Sequence, residues 1–290
     1  MKKWVFGTLV LLALMGCEKT VQLDTVQQSP KLVVEGQIES GQAAVVAISN
    51  SLNYFSEIDA ATLNGSYVHG ANVSINNGTN TYTLKEVAVP LAGGYYFYYY
   101  TAPQTSLFGE MGKTYTLRIE TGGQVYTSTT TIPVMTKKMD SLWWKKAPNN
   151  PDTNKVVLMS RVTDPPGLGN YIRYFTSSNN KDFYPGLNSV FDDQIVDGKT
   201  YDIQVDQGVS KNVKLKFEDY GYFKRGDTAI VKFCNIDKAS YEFWRTWEFT
   251  YQSVGNPFSS PGKVLGNISN GALGSFCGYA VQYKALIIPK

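Results

Sequence analysis

The sequence predicts an all-β fold of two β-sandwich-like domains, the first immunoglobulin-like and the second carrying one amphipathic helix. Three observations lead there. Of 290 residues, 43% are hydrophobic and 18% charged, a balance that buries a core in water and fits neither a disordered chain nor a multispanning membrane protein. Short runs alternating apolar and polar residues, separated by Gly, Asn and Pro, dominate from Lys31 onward. The Ile132-Pro133 step stops the first series of runs, and the length exceeds what one sandwich needs.

The chain opens with Lys2 and Lys3, an apolar run from Trp4 to Met15, and the close Leu14-Met15-Gly16-Cys17. A bilayer core about 30 Å thick needs roughly 20 apolar residues in a helix, so this run is a secretory signal and not a span. Residues 1–16 are expected to be removed. The ending resembles the lipobox of bacterial lipoproteins, in which the thiol of Cys17 is acylated and becomes the new N-terminal residue. Each buried CH₂ contributes about 0.8 kcal/mol, so several acyl chains on one cysteine hold a soluble domain at a membrane. Residues 17–30 are polar, lack apolar periodicity and read as a lipidated tether.

The first domain, residues 31–134, contains expected strands over Leu32 to Ile38, Ala43 to Ser49, Ala71 to Ile75, Thr81 to Glu86, Tyr95 to Thr101, Thr114 to Glu120 and Gln124 to Ile132. In Thr114 to Glu120, Tyr115, Leu117 and Ile119 share one face and Thr116, Arg118 and Glu120 the other, as a half-buried antiparallel strand requires. Asn77-Gly78 and Gly122-Gly123 supply the positive φ that tight hairpins need. Val134 to Asp140 is the expected crossing into the second domain, residues 135–290.

There, Lys155 to Val162, Tyr171 to Thr176, Thr200 to Val205, Val213 to Phe217 and Thr228 to Asn235 read as strands, with Asp197-Gly198 a turn. Asp237 to Val254 changes period. Trp244, Trp247, Tyr251 and Val254 recur at spacings of three and four, Asp237 stands at an N-cap and Gly255 follows the end. One helix is predicted, its two Trp packed on a sheet. Asn256-Pro257-Phe258 breaks it, and strand-like pieces such as Tyr279 to Ile288 close the chain.

Charge and composition narrow the function. Lys+Arg of 27 against Asp+Glu of 24 gives a net +3, too even for a phosphate-neutralising surface, so nucleic acid is excluded as a partner. With one His and three Cys, zinc sites and two-His iron or copper centres lack ligands, and no metal or cofactor is expected. Neither a G-x-S-x-G elbow, a phosphate-binding P-loop nor a dinucleotide fingerprint occurs. His69 stands in an expected loop before a strand and reads as a solvated side chain. Asp192, Asp193, Asp197, Asp202 and Asp206 gather acid in one segment, but their spacing does not match a calcium loop and no pair stands out for hydrolysis. No enzyme activity is expected.

Two binding or bonding features remain. In Tyr95-Tyr96-Phe97-Tyr98-Tyr99-Tyr100, alternate residues of a strand face opposite ways, so aromatics stand outside the core unless a loop covers them. Tyr95, Tyr96, Tyr98, Tyr99 and Tyr100 are therefore the candidate binding face, suited to a sugar or a protein or peptide surface. Cys234 and Cys277 are the pair left after Cys17. Export to an oxidising compartment allows a disulfide between them, and their separation is equally compatible with two buried thiols.

Several ordered motifs carry a family resemblance over nearly the whole chain. They are Gly16-Cys17-Glu18-Lys19, Pro30 to Gly36, Tyr54-Phe55 after a Ser-Asn-Ser step, Gly112 to Leu117, Thr130 to Pro133, Asp140-Ser141-Leu142, Asn256 to Phe258, and Asn267 to Tyr279 around Gly271-Ala272-Leu273-Gly274. Together they resemble a Bacteroidota family of outer-membrane lipoproteins defined by a domain of unknown function. The resemblance implies a lipid-anchored protein of the outer membrane, on its periplasmic or its cell-surface side, that is accessory to a TonB-dependent transporter or to ligand capture. A free-standing glycan-binding or adhesive module is the alternative. The resemblance also gives context to Thr25, Ser141 and Thr228, which stand in D-[ST]-apolar sites like those O-glycosylated in exported proteins of that phylum.

Overall fold

The computed structural model describes residues 29–290 apart from 54, 55, 104, 105, 212, 214, 255, 257 and 259–261. Cys17, Thr25, the signal segment and the Tyr54-Phe55 motif lie outside the described residues. Within the described residues no helix is long and apolar enough to cross a membrane.

The first half of the chain forms β1 (Leu32–Glu39), β2 (Val45–Asn50), helix α1 (Ala60–Ser66), β3 (Asn72–Asn76), β4 (Thr81–Thr83), β5 (Lys85–Pro90), β6 (Tyr96–Thr101), β7 (Thr114–Thr121) and β8 (Gln124–Thr131). The second adds β9 (Lys138–Lys146), β10 (Lys155–Thr163), β11 (Tyr171–Ser178), β12 (Tyr184–Phe191), β13 (Thr200–Val205), β14 (Phe223–Lys224), β15 (Thr228–Ile236), helix α2 (Lys238–Ser253) and β16 (Leu273–Ile287).

One sheet runs through both halves, in the order β12-β11-β15-β16-β1-β2-β6-β5. A four-stranded sheet β4-β3-β7-β8 and a second in which β10 pairs with β9, β13 and β14 complete the architecture. The fold is thus all-β and sandwich-like, as the alternation predicts. Even-numbered residues of β16 share one face, and along it Phe276 and Ala280 enter the core with β7 while Leu286 packs on the core with β10. Both small sheets therefore lie on the same face of the long one. Helix α2 covers the opposite face over β11, β12 and β16, where Cys234, Ile236, Phe243 and Tyr279 are buried.

The chain accordingly does not separate at residue 134 as expected. β16 lies beside β1 in parallel register, Val33 opposite Leu273 and Glu39 opposite Tyr279, so the C-terminal segment completes the first core. The physical reason is apolar surface: β1 has buried side chains and two free edges, and the last strand covers one of them. Close approach demands glycine here. A Cβ on Gly274, at φ 95°, would meet the Val34 carbonyl oxygen at 1.9 Å, and one on Gly278 would meet the Thr131 backbone at 2.8 Å.

Both predicted hairpin turns join antiparallel pairs, β3–β4 and β7–β8. Among the described residues, the expected strand at Val213 to Phe217 does not form. Val213 and Phe217 are exposed, and Phe217–Asp219 is a 3-10 turn, because apolar content there has no partner strand to alternate against. Helix α2 starts where predicted: Asp237 accepts from the Ser240 amide at 2.8 Å and, through its other oxygen, from Thr130 Oγ1 and the Thr131 amide. Its stripe turns away from the sheet toward the end, leaving Val254 79% exposed.

Candidate functional site

The aromatic strand β6 is divided by its neighbours. Its core face carries Tyr96, Tyr98 and Tyr100 opposite Pro90, Ala88 and Glu86 of β5, while Phe97 and Tyr99 stack on the other face. Tyr100 is buried: its hydroxyl donates to the Val68 carbonyl at 2.8 Å and accepts from the Ala71 amide at 3.1 Å. Tyr98 is half-covered by the rings of Tyr67 and His69, at 5.2 and 4.6 Å between centroids. Tyr95 precedes the strand and is half-buried, as is Tyr99. The five-tyrosine face is thereby corrected to an exposed pair, Tyr96 and Phe97, at 42% and 36% exposure. The segment 67–71 covers Tyr98 and Tyr100.

His69 does not stand free. Its Nδ1 pairs with Glu86, whose other oxygen accepts from the Gly70 amide at 3.1 Å. Burial opposes the charge on Glu86, but the His69 partnership and the Gly70 amide outweigh it and hold that carboxyl below its ordinary range.

Cys234 and Cys277 are both buried and free. The expected bridge is contradicted by register: Cys234 stands opposite Val281, four residues along β16 from Cys277. At about 3.3 Å per strand residue this exceeds the Cα separation of roughly 7 Å that a disulfide spans. Burial pushes the Cys234 thiol up to about 12, where it behaves as a small apolar side chain. Of the O-glycosylation candidates, Ser141 is exposed on β9 and Thr228 is half-buried at the start of β15.

The acidic segment 192–206 is dispersed. Asp202 is paired with Arg161 at 2.8 Å, Asp206 accepts from Gln204, and Asp192 accepts from the Tyr241 hydroxyl at 3.0 Å. Asp193 and Asp197 do meet, joined by Asp164, with carboxylate oxygens within 4.8 Å of one another. That cluster has a cation of its own, the Lys137 ammonium, 3.1 Å from Asp164. One ammonium therefore offsets one of the three carboxylates, and the set does not follow the spacing of a calcium loop.

An apolar opening lies inside the second sandwich. A cleft of about 330 Å³ runs between β10 and β13 on one side and β11 and β15 on the other, walled by Val162, Ile172, Tyr174, Ile203, Val231 and Phe233. Its mouth carries Phe191, Asp192, Ile195, Gln204 and Tyr241. Ile195 is 86% exposed at that mouth, an apolar side chain left in water beside an apolar hole. Tyr241, on α2, stacks on Tyr171 and donates to Asp192, so burial and then the Asp192 carboxylate push its phenol up to about 12. The wall strands alternate in sequence, so their inward residues are readable, whereas the cleft itself comes from how far the sheets stand apart.

Behind the cleft, on the helix side of the long sheet, a buried polar network was missed by sequence reasoning. Arg173 of β11 donates to Ser189 Oγ and to the Tyr279 hydroxyl, both at 3.2 Å, and lies 3.4 Å from the Trp244 ring centroid. Glu248 of α2 accepts from the Ser189 amide at 2.9 Å and from its hydroxyl. Burial raises the Glu248 carboxyl, with Ser189 and Arg173 pulling against it. Lys211 lies 3.3 Å from the Trp247 ring centroid, and desolvation, aided by Arg173, lowers it to about 8. The signal for this network was a Glu at an inward helical position, one residue past Trp247.

A sandwich-like β protein with an apolar cleft is the class that this fold and site define. The chain belongs to the family described as a domain of unknown function, DUF4249, whose model matches residues 18–285. No curated protein matches the chain. Among solved structures it is similar to a DUF4785 family protein from Legionella pneumophila, at 11% identity and a TM-score of 0.22, over 70% of this chain and 52% of that one. The chain thus spans about half the length of that protein, and a likeness so faint carries no argument.

Proposed function

We propose that this protein is a non-enzymatic lipoprotein of the outer membrane, fastened through Cys17, that captures a ligand for a TonB-dependent transporter. The cleft of the second sandwich carries the reading: its walls are mainly apolar, with the buried Ser160 within and Asp192, Gln204 and Tyr241 toward the mouth, and it has the size at which small-molecule sites begin. The Bacteroidota lipoprotein resemblance and the Leu14 to Cys17 close supply the address. Among the described residues, His69 is engaged by Glu86 and the acids of 192–206 by partners of their own, which favours binding over catalysis.

Co-purification from detergent-solubilised membranes tests the reading. A transporter is expected to accompany the chain when Cys17 is intact and to be lost with Cys17→Ser. A protein that is reproducibly solitary with Cys17 intact counts against it.

The exposed Tyr96 and Phe97 support a second reading, a free-standing glycan-binding or adhesive surface module. Binding on a glycan array that survives Tyr96→Ala with Phe97→Ala disposes of that alternative.

A further inference from the structure

Lys137 and Asp164 meet at the end of the β9–β10 ladder. Lys138 stands opposite Thr163, so the next residues outward face one another, and Nζ lies 3.1 Å from Oδ1 with neither side chain reaching solvent. Among the described residues, neither of these two atoms has an aligned hydrogen bond. A buried ion pair without an aligned hydrogen bond is a costly way to hold a strand end, since both charges have left water without full compensation. An aromatic ring and a further carboxylate stand beside the pair. The Tyr201 ring stands 5.6 Å from Nζ, and a second buried carboxylate, Asp193, has an oxygen within 4.8 Å of Asp164. Asp193 is fixed by the amides of Gly169 and Asn170, each at 2.8 Å. The other Asp164 oxygen, Oδ2, accepts from the Gly198 amide at 3.1 Å.

We propose that Lys137 and Asp164 condense with each other to an intramolecular amide. The Lys137 ammonium passes a proton to Asp164 Oδ1, 3.1 Å away. The freed lone pair on Nζ attacks Cγ and forms the Cγ–Nζ bond, and the negative charge that develops on Oδ2 faces the Gly198 N–H. Collapse breaks Cγ–Oδ1. A second proton from Nζ leaves with that oxygen, so one water departs and nitrogen keeps one hydrogen. Charge balances, because an ammonium and a carboxylate become a neutral amide, and no oxidant or cofactor is needed. Fixed proximity supplies the drive that a dilute amine and acid lack, and exclusion of water protects the product. The cross-link ties the start of β9 to the end of β10, next to Met139 and Val162 of the cleft wall. For an envelope protein it locks the binding sandwich against unfolding and proteolysis. It stands apart from the capture reading, which does not require it.

The test is a tryptic digest of the unfolded full chain. Lys137, once acylated, resists cleavage, so residues 119–138 are expected joined to residues 162–173 in one species lighter than the two peptides together by a single water. Lys137→Arg and Asp164→Ala are expected to abolish it. Recovery of the two peptides unlinked from folded wild-type chain would overturn the proposal.

Discussion

Glu248 and Arg173 approach the same serine from opposite elements, one from helix α2 and one from strand β11. Removing one member of such a buried set leaves the other groups desolvated and unpaired, which typically costs 3–5 kcal/mol. Arg173→Ala is therefore expected to lower stability by roughly 3 kcal/mol in urea unfolding. The same region sets a pH dependence. Lys211 titrates at about 8 when folded against 10.5 ordinarily, so its contribution is fully present above 10.5 and is lost as pH falls through 8. Between those values the unfolded chain holds more protons, and stability rises with pH. Lys211→Met is expected to flatten that rise when urea midpoints are compared across the window. Glu248 has the opposite sense: its raised carboxyl favours the fold at low pH and loses that benefit as pH rises through its folded value. Charges like these were not legible as a site, because helical spacing marks a face without saying that a glutamate on it will meet an arginine distant in sequence.

At the scale of elements, the N-terminus of α2 is the joint between helix and sheet. Asp237 caps the helix and also accepts from Thr130 and Thr131 of β8. Asp237→Ala is expected to cost about 1–2 kcal/mol, the upper range for a lost cap, read from the chemical denaturation midpoint. The helix and most strands were legible because their periods are intact, as in β7, where Tyr115, Leu117 and Ile119 are all buried. The strands that escaped are irregular ones. β9 shifts register opposite Arg161 and Val162, which breaks its alternation, and β12 contains Pro185 and Gly186 beside a second irregularity. Helix α1 buries no residue and so had no amphipathic signal. The tyrosine run was legible as aromatic excess, but its cover by Tyr67 and His69 depends on a loop folding back over β6.

The whole molecule is organised by one sheet that belongs to both sandwiches. β16 pairs with β1 on one side and β15 on the other, so each core includes residues from the last strand. Ending the chain before Leu273 is expected to abolish cooperative unfolding of both halves, monitored by near-ultraviolet circular dichroism, whereas two independent domains would leave residues 31–134 folded. That continuity ties the wall strand β15 of the cleft, through β16, to the first core. Alternation along a strand reveals a sandwich, but a parallel pairing between strands at opposite ends of the chain has no local trace, and the division at 134 followed from that silence. The proposed role rests on where this rigid body is fastened. Metabolic labelling with palmitate, followed by membrane fractionation of the full chain and its Cys17→Ser variant, measures this most directly. The account predicts label in the membrane-bound wild-type chain and none in the variant, which leaves the membrane; an unlabelled wild-type chain recovered in the soluble fraction would contradict it.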